Sequence, residues 1–415
     1  MSNWPFRFVH AADLHLESLP WGVAEVPDHL RELFIEAGYL AAERVFETAL
    51  SEEAEFLILS GDVLDPQQTG PRGPLFLLEQ FERLAARNIE IFWAGGRVDP
   101  PEAWPPSIRL PDHVHLFGRG HPEVYFRRRD DLPLVHLVGV SRGASSEHGT
   151  RPIRVGDFEP DANGLFTVAI AHGKADAAMF QQSRIHYWAL GGRHTRGTLT
   201  SSPHLVHYPG SPQGRQPAES GPHGCTLVQV DQEQNARTTL VPTDVMRWHQ
   251  ERVVVDEATG RDDLETLLRE RMHTLVEASP GLDLLILWTV AGTGPIVNQL
   301  RHGVLTAELL EMLRQEYGFG PPAAWSVSLT TEPAGMLPPQ WYEQQTIRGD
   351  FLRAVHQFES HVDEPLELEA YLAEEHRTGT LASVVAISDE AARRDVLHEV
   401  TMLGVDLLSG EETQS

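Results

Sequence analysis

Apolar residues recur along the first half of this chain in two alternating rhythms. Phe6-Arg7-Phe8-Val9-His10 and Phe56-Leu57-Ile58-Leu59 are short runs rich in aromatic and β-branched residues, which predicts buried strands. Between them Leu30, Leu33, Phe34, Leu40, Val45, Phe46 and Leu50 fall at helical spacing and predict an amphipathic helix from Asp28 to Leu50. Leu75 to Ala86 predicts the next helix and Ile89 to Trp93 the next strand. This βαβαβ rhythm implies a sheet with helices packed on its faces. Later runs (Leu134 to Val140, Phe166 to Ala171, Tyr187 to Leu190, His204 to Tyr208, Cys225 to Val230) predict a second, more antiparallel layer.

The rhythm changes near residue 245. Met246 to Val255, Leu282 to Val290 and Ala324 to Thr331 read as strands, with helical spacing over Asp262 to Leu275 and Leu305 to Tyr317. We therefore expect three regions: a main α/β domain over 1–245, a small α/β domain over 246–335, and an acidic, mainly helical region over 336–415. The Pro-rich stretch Glu332 to Pro339 reads as the linker before that last region. From Glu343 onward there are 16 Asp/Glu against 5 Arg, and Phe351 to Phe358, Leu366 to Leu372 and Ala391 to Leu403 carry helical spacing. Such helices would need a surface to pack on, since propensity alone gives a short helix little stability.

Charge narrows the functional classes. The 415 residues hold 33 Lys+Arg against 60 Asp+Glu, a formal net charge of -27, and Lys174 is the single lysine. Phosphate neutralisation supplies most non-specific affinity for DNA, so a free-standing, high-affinity DNA binder is disfavoured. Any nucleic-acid contact must come from local arginines, a metal or a partner. No run approaches the ~20 apolar residues of a membrane span, and Met1-Ser2-Asn3-Trp4 does not open a signal peptide. A single cysteine, Cys225, fits a cytoplasmic location and a small buried strand residue.

Candidate chemistry sits after predicted strands, where open α/β sheets place their ligands. Asp13-Leu14-His15 follows the first strand, Gly61-Asp62 the second, and His172-Gly173 and Gly191-Gly192-Arg193-His194 follow two later ones. Carboxylates and imidazoles converging from separate strand ends suit a divalent transition metal such as Mn, Fe or Zn. Each segment alone is weak, because a lone Asp or His is usually a cap or a surface group. Together and in this order they are specific.

With those segments in view, the chain resembles the SbcD-type DNA repair exonucleases of the calcineurin-like metallophosphoesterase superfamily, in their YhaO-like branch. The resemblance rests on Phe8 to Leu16, Leu59 to Asp65, Tyr187 to Gly191, Tyr208 to Arg215 and Gly221 to Cys225. It implies two stacked mixed sheets flanked by helices, with a small capping domain after residue 246. It also implies a dinuclear, usually Mn-dependent site for phosphodiester hydrolysis. An SMC-like, coiled-coil ATPase is the implied partner, with DNA reached through it; a homodimer stays open.

By the same resemblance, Asp13, His15, Asp62 and His194 stand where the family holds its first metal. The second would share Asp62 and use His172, but its Asn ligand position reads Arg97 and a His ligand position reads Gly192. The family's phosphate-assisting His falls on Val98, which cannot move a proton. One ion, with Mn the implied metal, is therefore expected rather than two. Arg97 either reaches into the second-metal space and pairs with Asp62, or swings out to solvent from a decayed site. Arg97 and Arg215 are candidates for holding substrate phosphate, Arg215 alternatively bracing its loop. His10, His113 and His115 read as structural.

Three functions follow: a metal-dependent exonuclease subunit, an inactive docking subunit for the ATPase, or a phosphoesterase of a small phosphorylated molecule.

Overall fold

The computed structural model describes residues 4–142, 153–292, 294–301, 303–332 and 339–360, with isolated positions further on. The chain falls into two compact units. The first comprises Met1–Gln250, Met272–Leu287 and Leu313–Val327; the second comprises Glu251–Arg271, Trp288–Met312 and Ser328–Ser415.

The first unit is built on β1 (Phe6–Ala11), α1 (Asp28–Ser51), β2 (Phe56–Leu59), α2 (Pro66–Thr69), α3 (Arg72–Ala85), β3 (Glu90–Ala94) and β4 (Val114–Phe117). A second group follows: β5 (Glu123–Arg129), β6 (Leu132–Val140), β7 (Phe166–His172), β8 (Tyr187–Gly191), β9 (Gly197–Thr200) and β10 (Leu205–Tyr208). The chain then returns through β11 (Gly224–Val230) and β12 (Ala236–Pro242). They form two six-stranded mixed sheets, ordered β12-β11-β1-β2-β3-β4 and β5-β6-β7-β8-β10-β9.

Strand periodicity decides how these sheets are covered. Phe6, Phe8, Phe56, Ile58 and Phe92 point to one face and share a buried cluster with Val135, Leu137, Phe166, Val168 and Tyr187 of the other sheet. Their neighbours Val9, Ala11, Leu57, Leu59 and Ile91 point the opposite way, against Val45, Phe46, Leu77 and Phe81 of α1 and α3. The far face of the second sheet is closed by Phe158, Phe180 and Ile185 over Ala169, Trp188 and Val206. Strands covered on both faces read as continuous apolar runs, which explains Phe56 to Leu59. The fold class expected from the resemblance is thus present.

One expectation is corrected. The interior of the second sheet is parallel, since β6, β7, β8 and β10 pair in the same direction. Its antiparallel pairs lie at the two edges, β5 with β6 and β9 with β10. Cys225 to Val230 belongs to the first sheet, as β11 running antiparallel to β1. An apolar run reports burial; it carries no information on strand direction or partner.

Beyond residue 245, β13 (Met246–Val255), β14 (Asp283–Gly292) and β15 (Ala324–Thr331) form a three-stranded sheet in that order. The helices are α4 (Arg261–Ala278), α5 (Pro295–Arg301), α6 (Val304–Tyr317), α7 (Pro339–Glu343) and α8 (Ile347–Ser360). The expected helix Leu366 to Leu372 lies outside the described residues apart from Leu366, and Ala391 to Leu403 is described only in part. Among the described residues no helix is long and apolar enough to cross a membrane.

Candidate metal centre

The loops after β1 and β2 run side by side and continue the parallel pairing of their strands. The Asp13 N–H donates to the Gly61 carbonyl at 2.9 Å, and those of His15 and Leu16 donate to the Asp62 and Val63 carbonyls at 3.0 and 3.1 Å. Asp13, His15 and Asp62 all hold positive φ, at 55°, 46° and 52°. Such backbone costs about 1–3 kcal/mol per residue and persists where surrounding structure demands it.

Close backbone approach is the reason for the glycines. A Cβ at Gly96 would stand 2.4 Å from Asp62 Oδ1, and one at Gly61 would stand 2.6 Å from His172 Nδ1. These contacts let the loop after β3 reach the site. Asp99, fully interior, anchors that loop by accepting from the N–H groups of Asp62, Val63 and Gly96 and from Trp93 Nε1, at 2.7–3.1 Å.

The five implied ligands converge. Ligand atoms of Asp13, His15 and His194 lie within 4.8 Å of one another, as do those of Asp13, Asp62 and His172. Four of the five are buried, with His194 partly exposed. His15 Nε2 and His172 Nε2 stand 3.6 and 3.5 Å from Asp62 Oδ2.

Each imidazole has its outer nitrogen engaged by an acceptor. His15 Nδ1 meets Glu17 Oε1 at 2.8 Å, His172 Nδ1 the Ser60 carbonyl at 2.9 Å, and His194 Nδ1 Glu219 Oε1 at 2.8 Å. Carboxylates and carbonyls carry no proton to give, so Nδ1 donates to each of them, and the Nε2 atoms of His15 and His172 face Asp62. This arrangement fixes tautomer and ring orientation in metal-ligating histidines. Among the described residues His15 Nε2 is buried without a hydrogen-bond partner. A divalent cation satisfies that atom, so the donor set fits a metal.

The electrostatics agree. Burial would raise the Asp62 carboxyl, but His172 and His15 and the Val98 N–H hold it well below the usual carboxylate range. Burial opposes a charged His172, yet the Asp62 and Asp13 carboxylates push it up to about 9. A cation in this position takes the place of that proton. Burial, reinforced by neighbouring Asp62, raises Asp13, while the Gly192 N–H donates to both its oxygens at 3.0 and 3.1 Å.

Arg97 does not reach Asp62 with its guanidinium. Its backbone N–H and that of Val98 donate to Asp62 Oδ1, while the Arg97 side chain is exposed and makes no ion pair among the described residues. Of the two courses the sequence left open for Arg97, the side chain takes the outward one, and backbone donors meet Asp62 in its place. Arg215 is buried, with Nη2 3.1 Å from His194 Nδ1 and 3.2 Å from its Nε2, so the guanidinium crowds the imidazole that an ion would use. His10 lies in the core, bonded to Ser60 Oγ and Tyr187 Oη. His113 bonds the Phe81 carbonyl and His115 stacks on Phe92.

A cleft of about 1150 Å³ opens over the centre, lined by the ligands and by Arg97, Arg142, Lys174, Arg215 and Trp21, among others. Glu17 orients His15 from two positions along the chain, just beyond the Phe8 to Leu16 segment, whereas Glu219 and Asp99 act across 25 and 37 positions. Only Asp99, closing the Gly96-Arg97-Val98-Asp99 segment, lies within a quoted motif that could have flagged it.

No family model matches the chain. It is similar to "Uncharacterized metallophosphoesterase YhaO" of Bacillus subtilis (strain 168), 26% identical over 339 residues, which cover 78% of this chain and 81% of that protein. A solved structure of Vacuolar Protein Sorting 29 from Cryptosporidium parvum also matches, at TM-score 0.26 and 15% identity, covering 58% of this chain and 99% of that one. The sequence similarity is to a metallophosphoesterase, and the oriented Asp/His donor set is of the kind that a metal-dependent phosphoesterase needs.

Proposed function

We propose that this protein is a metal-dependent phosphodiesterase of the DNA repair exonuclease type, working beside an SMC-like ATPase. The observation that carries the reading is the set of three imidazoles with Nδ1 held by Glu17, Ser60 and Glu219, each with a ligand atom within 4.8 Å of Asp13 or Asp62. Asp13, His15, Asp62 and His194 would hold one divalent ion, with Mn the implied metal, and His172 would stand beside Asp62. When bound, the ion supplies Lewis-acid charge at the phosphoryl group. The chain's own part is orientation and phosphate capture. Arg97, Arg142 and Lys174 line the cleft and make no ion pair among the described residues. In a protein of net charge -27, three cations around one cleft with no ion-pair partner among the described residues favour an anionic substrate.

A second reading, an inactive docking subunit for the ATPase, is favoured by Val98, which offers no proton where the family has its histidine, and by Gly192, which offers no ligand. Metal analysis of protein equilibrated with Mn, paired with hydrolysis assays on single- and double-stranded DNA, separates the two. Bound Mn with DNA cleavage, both lost in Asp62→Asn, supports the enzyme. Bound Mn without cleavage of either DNA supports the docking subunit. Failure to bind a divalent ion sinks the metal centre itself.

A further inference from the structure

The wall of the cleft carries an aromatic residue that the chemistry above leaves unused. Trp21 and Leu19 line it, 62% and 55% exposed. Trp93, Trp188, Trp248 and Trp288, by contrast, are among the largest fully buried side chains. The exposure of Trp21 is not that of a loose tip. Its N–H donates to the Arg215 carbonyl at 2.7 Å, tying it to the loop beside His194. The next residue, Gly22, holds φ +106°, and a Cβ there would meet Pro217 Cδ at 2.5 Å. The backbone is thus fixed on both sides, while the indole makes no ring contact or hydrogen bond among the described residues. A solvent-facing indole on a fixed backbone leaves a large apolar face in water, a cost that a planar ligand removes.

We propose that Trp21 is a base-stacking platform, so that the cleft takes a phosphodiester whose adjacent nucleobase is unpaired and free to stack. This deepens the phosphodiesterase reading and rests on it for the position of the phosphate. Cations take the phosphate while Trp21 takes the base: Arg97 and Lys174 are exposed and Arg142 partly so, and all three line the same cleft. Stacking on an aromatic side chain tolerates any base, because every base has a π-face. It excludes the interior of a duplex, whose bases are already stacked on one another. The preferred nucleic acid is therefore a single-stranded end or short oligonucleotide.

The test measures binding of a fluorescent oligothymidylate to the full chain by anisotropy in EDTA, against the same oligonucleotide with abasic residues at both ends, and hydrolysis of each with Mn. Trp21→Ala should weaken binding of the intact oligonucleotide by about tenfold. Trp21→Phe should restore it, and neither variant should change binding of the abasic-ended strand. Equal losses on both strands, no loss on either, or no binding by the unaltered protein would overturn the platform. Base-dependent binding without hydrolysis keeps the platform and sinks the enzyme instead, so the two failures are distinguishable. The exposure of Trp21 means that truncation should leave the thermal transition in place, which the same preparations can report.

Discussion

The backbone N–H of Arg97 donates to Asp62 Oδ1 at 2.5 Å, and that of Val98 joins it at 3.0 Å. Asp62 is therefore held by the path of the loop after β3, whichever side chains that loop carries. The Arg97 guanidinium is left exposed on the cleft wall.

Arg97→Ala should leave Mn affinity within about twofold, because no side-chain contact to a ligand is lost. It should weaken binding of a phosphodiester by about three- to tenfold, the scale of one charged contact to phosphate. Calorimetric titration with Mn, then with oligonucleotide, separates the two effects. A large loss of Mn affinity would show that the guanidinium, not the backbone, governs Asp62.

Glu219 and Glu17 orient His194 and His15 without touching the metal position themselves. Glu219→Gln and Glu17→Gln should each reduce Mn affinity by about 10–100-fold, the usual cost of removing a partner of this kind. Circular dichroism should stay unchanged. Unaltered Mn affinity in both variants would remove the argument from tautomer control.

Gly192 stands where the family's metal-ligating histidine is implied, at φ +97°, and a Cβ added there would lie 3.0 Å from His172 Nε2. Gly192→His should destabilise the protein by about 1–3 kcal/mol through backbone strain. It should also displace His172. Arg97→Asn combined with Val98→His avoids that crowding and is the better attempt at restoring a dinuclear centre. Thermal denaturation of the two variants should rank them in this order.

His207 lies between the two sheets, bonded to Thr198 and Thr226, and burial, with Arg196 nearby, pushes its pKa down to about 3. His10, in contact with it, is likewise lowered by burial and by His207. The folded state refuses protons that the unfolded chain takes up near pH 6.5. Their contribution to stability is therefore complete above pH 6.5 and falls as the pH drops below it, for His207 by up to about 1.4 kcal/mol per pH unit down to about 3. His207→Gln should flatten the dependence of melting temperature on pH between 6.5 and 4. An unchanged slope would assign the acid lability to the carboxylates instead.

Much of this molecule is legible in one dimension because its signals are local. The helix expected over Asp28 to Leu50 forms at Asp28–Ser51, and the strand Phe56–Leu59 forms with the bounds its apolar run implies. The Asp13, His15 and Asp62 segments could be recognised because strand ends and ligand types both lie in short stretches of sequence. What the sequence could not specify depends on groups brought together from far apart. The direction of β7 and β8 is set by which strands neighbour them, and the membership of β11 by a return across nearly the whole first unit. Glu219 reaches His194 across 25 positions and Ser60 reaches His172 across 112, with no spacing rule to announce either. Arg97 shows the same division. Its residue type signalled a changed site, but whether its charge or its backbone meets Asp62 was decided only by the close packing of Gly96 against that carboxylate, which aims the amides inward and leaves the guanidinium in the cleft.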